Sequence, residues 1–279
     1  MSTTTPFTDA ALRDGHYATK QLFSRDRLIA WSHRRRFETG LDLARQFAGK
    51  TVIDYGCGDA TFLALLDNGP QAPARAVGAE IDAFQVDDCR RRFADRPRLS
   101  FTGISELDDE QHLGRYDAVI CMEVLEHVVD LTTIIERLWR LLAADGTLLV
   151  SVPVETGLPL LVKQATRRVA GWRGIGQYAS TSGYTWEEYR ASLFPGRRQH
   201  ITRPVYHADS RHPFHDHKGF NWRLLQDRLE AWFEIQRVMA SPVPLLGPQL
   251  ATQVWFLGRK RPIETSGVSS TCRRSEPMS

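Results

Sequence analysis

The chain has few cysteines, no long apolar run and little net charge, and each shortage removes a class of protein. Cys57, Cys89, Cys121 and Cys272 are the 4 cysteines among 279 residues, and no two form a Cys-x-x-Cys pair. Neither a disulfide framework nor a thiolate zinc site is indicated, and reduced thiols are expected. No segment approaches the roughly 18 apolar residues of a membrane span. Residues 1–20 are polar and lack the apolar stretch of a secretory signal. A soluble, cytoplasmic protein is therefore expected, with contact at a membrane surface left open. The formal net charge is +3, too small to point to nucleic acid. No internal repeat is visible.

What is present is a regular alternation of elements. Residues 1–20 read as a loose arm. Leu28, Trp31, Phe37, Leu41, Ala44 and Phe47 then recur at helical spacing, which predicts a helix over 24–48. Apolar runs predict strands at 51–55, 76–81, 99–102, 116–122 and 147–153. Helical patterns at 60–66, 86–93 and 131–142 lie between them. A further helix at 220–233 and strands at 233–239 and 252–259 follow an irregular stretch. Val-, Ile- and Leu-rich strands separated by helices indicate a parallel sheet covered on both faces. The chain thus divides into an N-terminal arm and helix (1–48), an α/β domain (49–262) with an insertion at 154–218, and a Ser-, Thr- and Arg-rich tail (263–279) expected to be disordered.

Asp54-Tyr55-Gly56-Cys57-Gly58-Asp59 follows the first strand and opens a helix. Glycines there let the backbone turn sharply and let a ligand approach without a Cβ in the way. Glu80 ends the next strand, where a carboxylate can bind both hydroxyls of a ribose. A dinucleotide would place its pyrophosphate at this helix start. Asp54 and Asp59 would repel it, and Thr61 stands where the third glycine of a dinucleotide fingerprint belongs. Two carboxylates suit a ligand carrying ammonium and sulfonium charge and no phosphate.

These segments, with Gly78-Ala79-Glu80-Ile81-Asp82, the run from Tyr116 to His127 and Gly146 to Pro153, resemble the ordered motifs of class I S-adenosylmethionine-dependent methyltransferases. The group that includes the ubiquinone-biosynthesis O-methyltransferases is the most similar in flavour. The resemblance implies a Rossmann-like, seven-stranded, mostly parallel sheet with helices on both faces, an N-terminal helix and a lid insertion. It implies S-adenosyl-L-methionine as cofactor. Asp54, Gly56, Cys57 and Gly58 would face its methionine end, Glu80 its ribose, and Ile81 its adenine. Cys121, Met122 and Glu123 would line the methionine and sulfonium side. Ala60 replaces a glycine that many relatives carry. Ile104 stands where an acidic residue often meets the adenine amine, which leaves backbone groups or Ser105 for that contact.

In-line methyl transfer needs alignment and exclusion of water, and an oxygen acceptor gains from a general base. His127, just past the fourth strand, is the first candidate, with Glu123 beside it; a histidine that merely packs at a helix start is the alternative. Glu123, Glu126 and His127 fall at i, i+3 and i+4, and His215-Asp216-His217-Lys218 comes later. That pattern resembles the metal-binding Glu-x-x-Glu-His, with a distant histidine, of the small-RNA 3′-terminal 2′-O-methyltransferases. Relatives that bind no metal carry it too, and catalysis without a metal is expected.

The insertion holds five of the nine histidines, and its Lys and Arg outnumber its Asp and Glu. It is the expected acceptor cover. Residues 158–172 suit a basic amphipathic helix, either a solvated lid face or a contact for a membrane or phosphorylated acceptor. Tyr178, Tyr184, Trp186 and Tyr189 line an acceptor pocket or form a small core of their own. Arg167, Arg168, Arg197 and Arg198 are the candidates for an anionic group. The expected function is methyl transfer to oxygen of a small-molecule, sugar- or lipid-linked acceptor. An RNA 2′-O-methyltransferase and a non-catalytic cofactor-binding module are the alternatives.

Overall fold

A computed structural model describes residues 7, 10–161, 184–193, 196–197, 201–207 and 212–262. Three helices come first, α1 (Ala10–Arg13), α2 (His16–Gln21) and α3 (Arg27–Leu43). The α/β unit then runs β1 (Thr51–Tyr55), α4 (Thr61–Asp67), β2 (Arg75–Glu80), α5 (Ala83–Arg92), β3 (Leu99–Gly103), β4 (Tyr116–Met122), α6 (Leu131–Leu141) and β5 (Leu142–Pro153). Helix α7 (Trp186–Leu193) and the short strands β6 (Val205–His207) and β7 (Pro213–His215) belong to the insertion. Helix α8 (Trp222–Glu230) and strands β8 (Phe233–Ser241) and β9 (Gln253–Lys260) complete the chain.

The large sheet has 7 strands in the order β3-β2-β1-β4-β5-β9-β8. β1 to β5 pair in parallel, and β9 runs antiparallel to both β5 and β8. Strand alternation sorts the core into two layers. Val52, Ile120, Leu149 and Trp255 pack on one face with Phe37, Leu41 and Phe62. Ile53, Val119, Val150 and Phe256 pack on the other with Leu138, Leu225 and Leu229. Helix starts are set by short polar side chains: Asp26 accepts from the Leu28 and Ile29 amides, Asp82 from Phe84 and Asn221 from Arg223. Such caps satisfy donors that the helix itself leaves open.

The arm differs from its sequence reading. Residues 10–21 are helical and docked, with Leu12 and Leu22 buried in the same core layer as Phe62 and Leu63. The 263–279 tail lies outside the described residues. Among the described residues no helix is long and apolar enough to cross a membrane.

Candidate active site

The turn after β1 is tight. Gly56 has φ 77°, and a Cβ there would collide with Val124 Cγ2. Gly58 follows at φ 55° and Ala60 at φ 57°. For alanine the left-handed region costs about 1–2 kcal/mol. The amides of Gly56 and Cys57 donate to Ala79 O at 2.8 and 3.0 Å. Glu80 adds its carboxylate: Oε2 accepts from Gly58 N at 2.8 Å and Oε1 from Ile81 N at 2.8 Å. Glu80 therefore ties the tip of β2 to the turn while lining the cavity.

A cavity of about 1300 Å³ opens at the carboxyl ends of β1, β2 and β4. Ile81 and Ser105 lie in one end of its wall, and Asp54, Gly56, Cys57, Met122 and Glu123 in the middle. Ile81 is 54% exposed, an apolar side chain open to the cavity. Helices α2 and α3 add Tyr17, Gln21, His33 and Arg36 as a roof. The far end is walled by His127, Phe214 and His217.

Arg36 was not legible in the sequence, where it is one of three consecutive arginines on a helix. Folding α3 over the sheet aims it inward. Its guanidinium lies 3.7 Å from Glu123 Oε2 and donates to Gln21 Oε1 at 2.6 Å. Burial lowers its pKa, opposed by the charges of Glu123, Glu126 and Asp59. Burial, and secondarily Arg36, hold the His33 imidazole at about 3, so it stays neutral and adds no second cation. Glu123 itself has φ 55°, a strained conformation for a residue with a side chain. Its Oε1 accepts from Gln253 Nε2 at 2.5 Å and from Ser151 Oγ at 3.3 Å. Glu123 is thus a junction between β4, β5, β9 and α3.

At the far end, the insertion meets the segment after β4 through its main chain. His215 N donates to His127 O at 2.9 Å, and Val128 bridges Phe214. His127 Nδ1 lies 2.8 Å from His215 O. A carbonyl only accepts, so Nδ1 carries the proton and Nε2 keeps its lone pair. Arg203 fastens the same junction, donating to the main-chain carbonyls of Glu126 and Asp216. The histidine brought to this end beside His127 is His217, with the ring centroids 4.8 Å apart. His215, two residues before it in the same run, instead turns Nδ1 to Pro204 O at 2.8 Å.

Several residues expected at the site are engaged with other partners. The Asp59 carboxylate accepts from the amides of Tyr17 and Ala18 at 2.8 and 2.9 Å and from Thr61 Oγ1 at 2.6 Å. It holds α2 in place, so the charge argument for the ligand rests on Asp54. Cys121 is fully buried in the core layer behind β4; inward alternation of the strand takes its side chain away from the cavity wall. The Cys57 thiol lines the cavity, but its hydrogen bond to Cys89, together with burial, pushes its pKa well up. Arg197 pairs with Asp227 on α8 at 3.1 Å, away from the cavity. Tyr189 stacks on Trp186 and meets Tyr184 edge to face. Residues 162–183, Arg198 and with them Arg167, Arg168 and Tyr178 lie outside the described residues.

Comparison with known proteins agrees with this geometry. Residues 23–210 match a family described as a methyltransferase domain. A ubiquinone biosynthesis O-methyltransferase of Psychrobacter arcticus is 30% identical over 125 residues, 44% of this chain and 46% of that protein. The chain thus matches about half the length of that relative. An uncharacterized methyltransferase of Mycobacterium bovis is 26% identical over 165 residues, 59% of this chain and 79% of that one. The crystal structure of a candidate S-adenosylmethionine-dependent methyltransferase from Listeria monocytogenes superposes with a TM-score of 0.53 at 14% identity, covering 82% of this chain and 99% of its own. That last likeness concerns the fold.

Proposed function

The chain belongs to the family of methyltransferase domains, whose cosubstrate is S-adenosylmethionine, and we propose that it moves the sulfonium methyl group to an oxygen of a small or lipid-linked acceptor. The observation that carries this reading is the single cavity running from Ile81 and Ser105, past Asp54 and Glu123, to His127 and His217. Its first part suits the cofactor. Ile81 offers an apolar face to adenine and Glu80 a carboxylate to the ribose. Asp54, Glu123 and Arg36 offer charges of both signs to the amino-acid end. The second part takes the acceptor, roofed by the β6–β7 hairpin.

In the transfer, the acceptor oxygen forms a bond to the methyl carbon as the carbon–sulfur bond breaks. The electron pair returns to sulfur, which leaves as a neutral thioether. The protein has to align oxygen, carbon and sulfur. An acceptor hydroxyl also has to lose its proton. Oxygen is favoured over an already basic nitrogen because His127 points an imidazole lone pair into this end of the cavity, where such help is needed.

The test is transfer from methyl-labelled S-adenosylmethionine to panels of phenolic, sugar and lipid-linked hydroxyl acceptors, with amines in parallel. Labelled ether products that vanish in His127→Ala, with cofactor affinity kept, are expected. Transfer confined to amines would overturn the assignment to oxygen. Failure to bind S-adenosylmethionine would overturn the whole reading.

A further inference from the structure

The positive charge of the chain is concentrated in the helices that roof the cavity. Residues 10–36 hold 7 Lys and Arg against 2 Asp, a net +5, whereas the whole chain carries +3. The rest of the molecule is therefore slightly acidic, and the excess belongs to one region. Within it, Arg25 and Arg27 make no side-chain ion pair or hydrogen bond among the described residues. They flank the start of α3, the end where the helix dipole disfavours cations. Beyond its Asp26 cap, α3 has no acidic residue in its first turn and no basic one in its last. Helix stability does not account for these arginines.

The same helix leaves apolar surface open to water. Leu28 is 71% and Trp31 45% exposed, and residues three apart are neighbours on a helix. Arg27, Trp31, Arg34 and Arg35, all exposed, fall at i, i+4, i+7 and i+8, the steps of one helix face. The opposite side of α3 buries Phe37 and Leu41 and turns His33 and Arg36 to the cavity. Arg35 pairs with Glu38 at 2.6 Å, and Arg34 lies over the Phe7 ring. The outer face thus combines two uncommitted guanidinium groups with an open leucine and an open indole.

We propose that the outer face of α3, centred on Arg25, Arg27, Leu28 and Trp31, is the surface by which this protein docks on an anionic lipid bilayer. The arginines meet phosphate head groups. Leu28 and Trp31 enter the interfacial layer, where an indole keeps its apolar body in contact with lipid and its N–H near water. A nucleic acid would satisfy the arginines and leave Leu28 in water, so the leucine decides for the bilayer. Docking sets the roof of the cavity against the head groups. A helix with its side chains is about 10–12 Å across, so the cavity lies roughly one helix diameter from the lipid surface. The inference deepens the functional reading and rests on its lipid-linked acceptor: enzyme and substrate then share one surface.

The test is flotation of the full chain with vesicles of mixed phosphatidylglycerol and phosphatidylcholine, and with vesicles of phosphatidylcholine alone. Binding to the mixed vesicles is expected, and it should weaken as salt rises. Arg25→Ala combined with Arg27→Ala should lower the partition coefficient roughly 25-fold, about fivefold for each arginine. Leu28→Ser with Trp31→Ser should lower it by about tenfold or more and keep the salt dependence. S-adenosylmethionine affinity should stay at wild type in both, since none of the four side chains lines the cavity. If a variant fails to fold, hydrogen exchange of the wild-type chain decides: residues 24–32 should exchange more slowly on the mixed vesicles. No preference for anionic vesicles, protection confined to other segments, or full binding in both folded variants would overturn the proposal. So would binding to a single-stranded oligonucleotide without binding to vesicles. Failure of the wild-type chain to bind S-adenosylmethionine would instead strike the functional reading and leave the vesicle result standing.

Discussion

Asp54 is a buried carboxyl at the end of β1, and among the described residues no donor reaches its Oδ1. Burial, reinforced by the charge of Glu80, raises its pKa from 3.8 to about 8. The folded protein then holds a proton that the unfolded chain has released. Stability from this group is complete below pH 3.8 and is lost as pH rises toward about 8. Asp54→Asn should therefore melt above wild type by a margin that widens over that window; thermal melts at a series of pH values check it. A cationic ligand beside Asp54 reverses the balance and expels the proton. Calorimetry in two buffers of different ionisation enthalpy should show proton release near neutral pH when S-adenosylmethionine binds. A variant Asp54→Asn that releases as many protons would show that another group titrates.

Glu80 belongs to the same scale. Replacing it by Ala removes the acceptor of the Gly58 amide as well as the proposed ribose contact. The expected loss of cofactor affinity is roughly 1.5–3 kcal/mol, the range for a hydrogen bond to a charged group. Binding calorimetry on Glu80→Ala reads it directly. The motif from Asp54 to Gly58 was legible in the sequence because local constraint and function coincide in one turn. Arg36 and Gln253 were not, because each reaches Glu123 only once distant elements are assembled. The run His215-Asp216-His217-Lys218 was legible, but not which of its rings reaches His127: His215 turns to Pro204 O, and His217 stands beside His127.

Among the elements, α2 shows how a short helix can be held by a residue far along the chain. Gly15 stands at its N-cap and offers no side chain. Asp59 supplies the missing acceptor to Tyr17 and Ala18. Composition made residues 1–20 look unstructured because the partner that holds residues 16–21 is outside the segment. Asp59→Ala should cost about 2–3 kcal/mol and raise hydrogen exchange over residues 16–21, with the sheet amides protected as before. The β6–β7 hairpin is the counterpart at the other end of the cavity. Arg203 joins it to the loop after β4, although burial lowers the guanidinium pKa to about 10. Arg203→Ala should raise the acceptor KM several-fold and leave the cofactor Kd nearly unchanged. Equal damage to both would show that the hairpin also supports the cofactor half.

For the molecule as a whole, the periodicity of apolar residues was enough to read seven strands, their order of appearance and the helices between them. Burial on both faces leaves a parallel strand little choice of composition. The insertion offered no such period. Its aromatics could line an acceptor pocket or form a small core, and Tyr184, Trp186 and Tyr189 pack together, while Arg197, a candidate for an anionic group, pairs with Asp227. The side chains it does bring to the cavity, His212, Phe214 and His217 among them, come from the stretch just before α8.

The roof made by Tyr17, Gln21, His33 and Arg36 has a kinetic consequence. It lines the middle of the cavity from the N-terminal side, while Pro213 and Phe214 of β7 line the other end. On the proposed reading the cofactor lies between the roof and the sheet, beneath the place assigned to the acceptor. Substrates should bind in a compulsory order, cofactor first, and the demethylated cofactor should leave last. Steady-state product inhibition reads this directly. S-adenosylhomocysteine should compete with S-adenosylmethionine and act non-competitively toward the acceptor; competition against both would mean that the two substrates enter by independent doors.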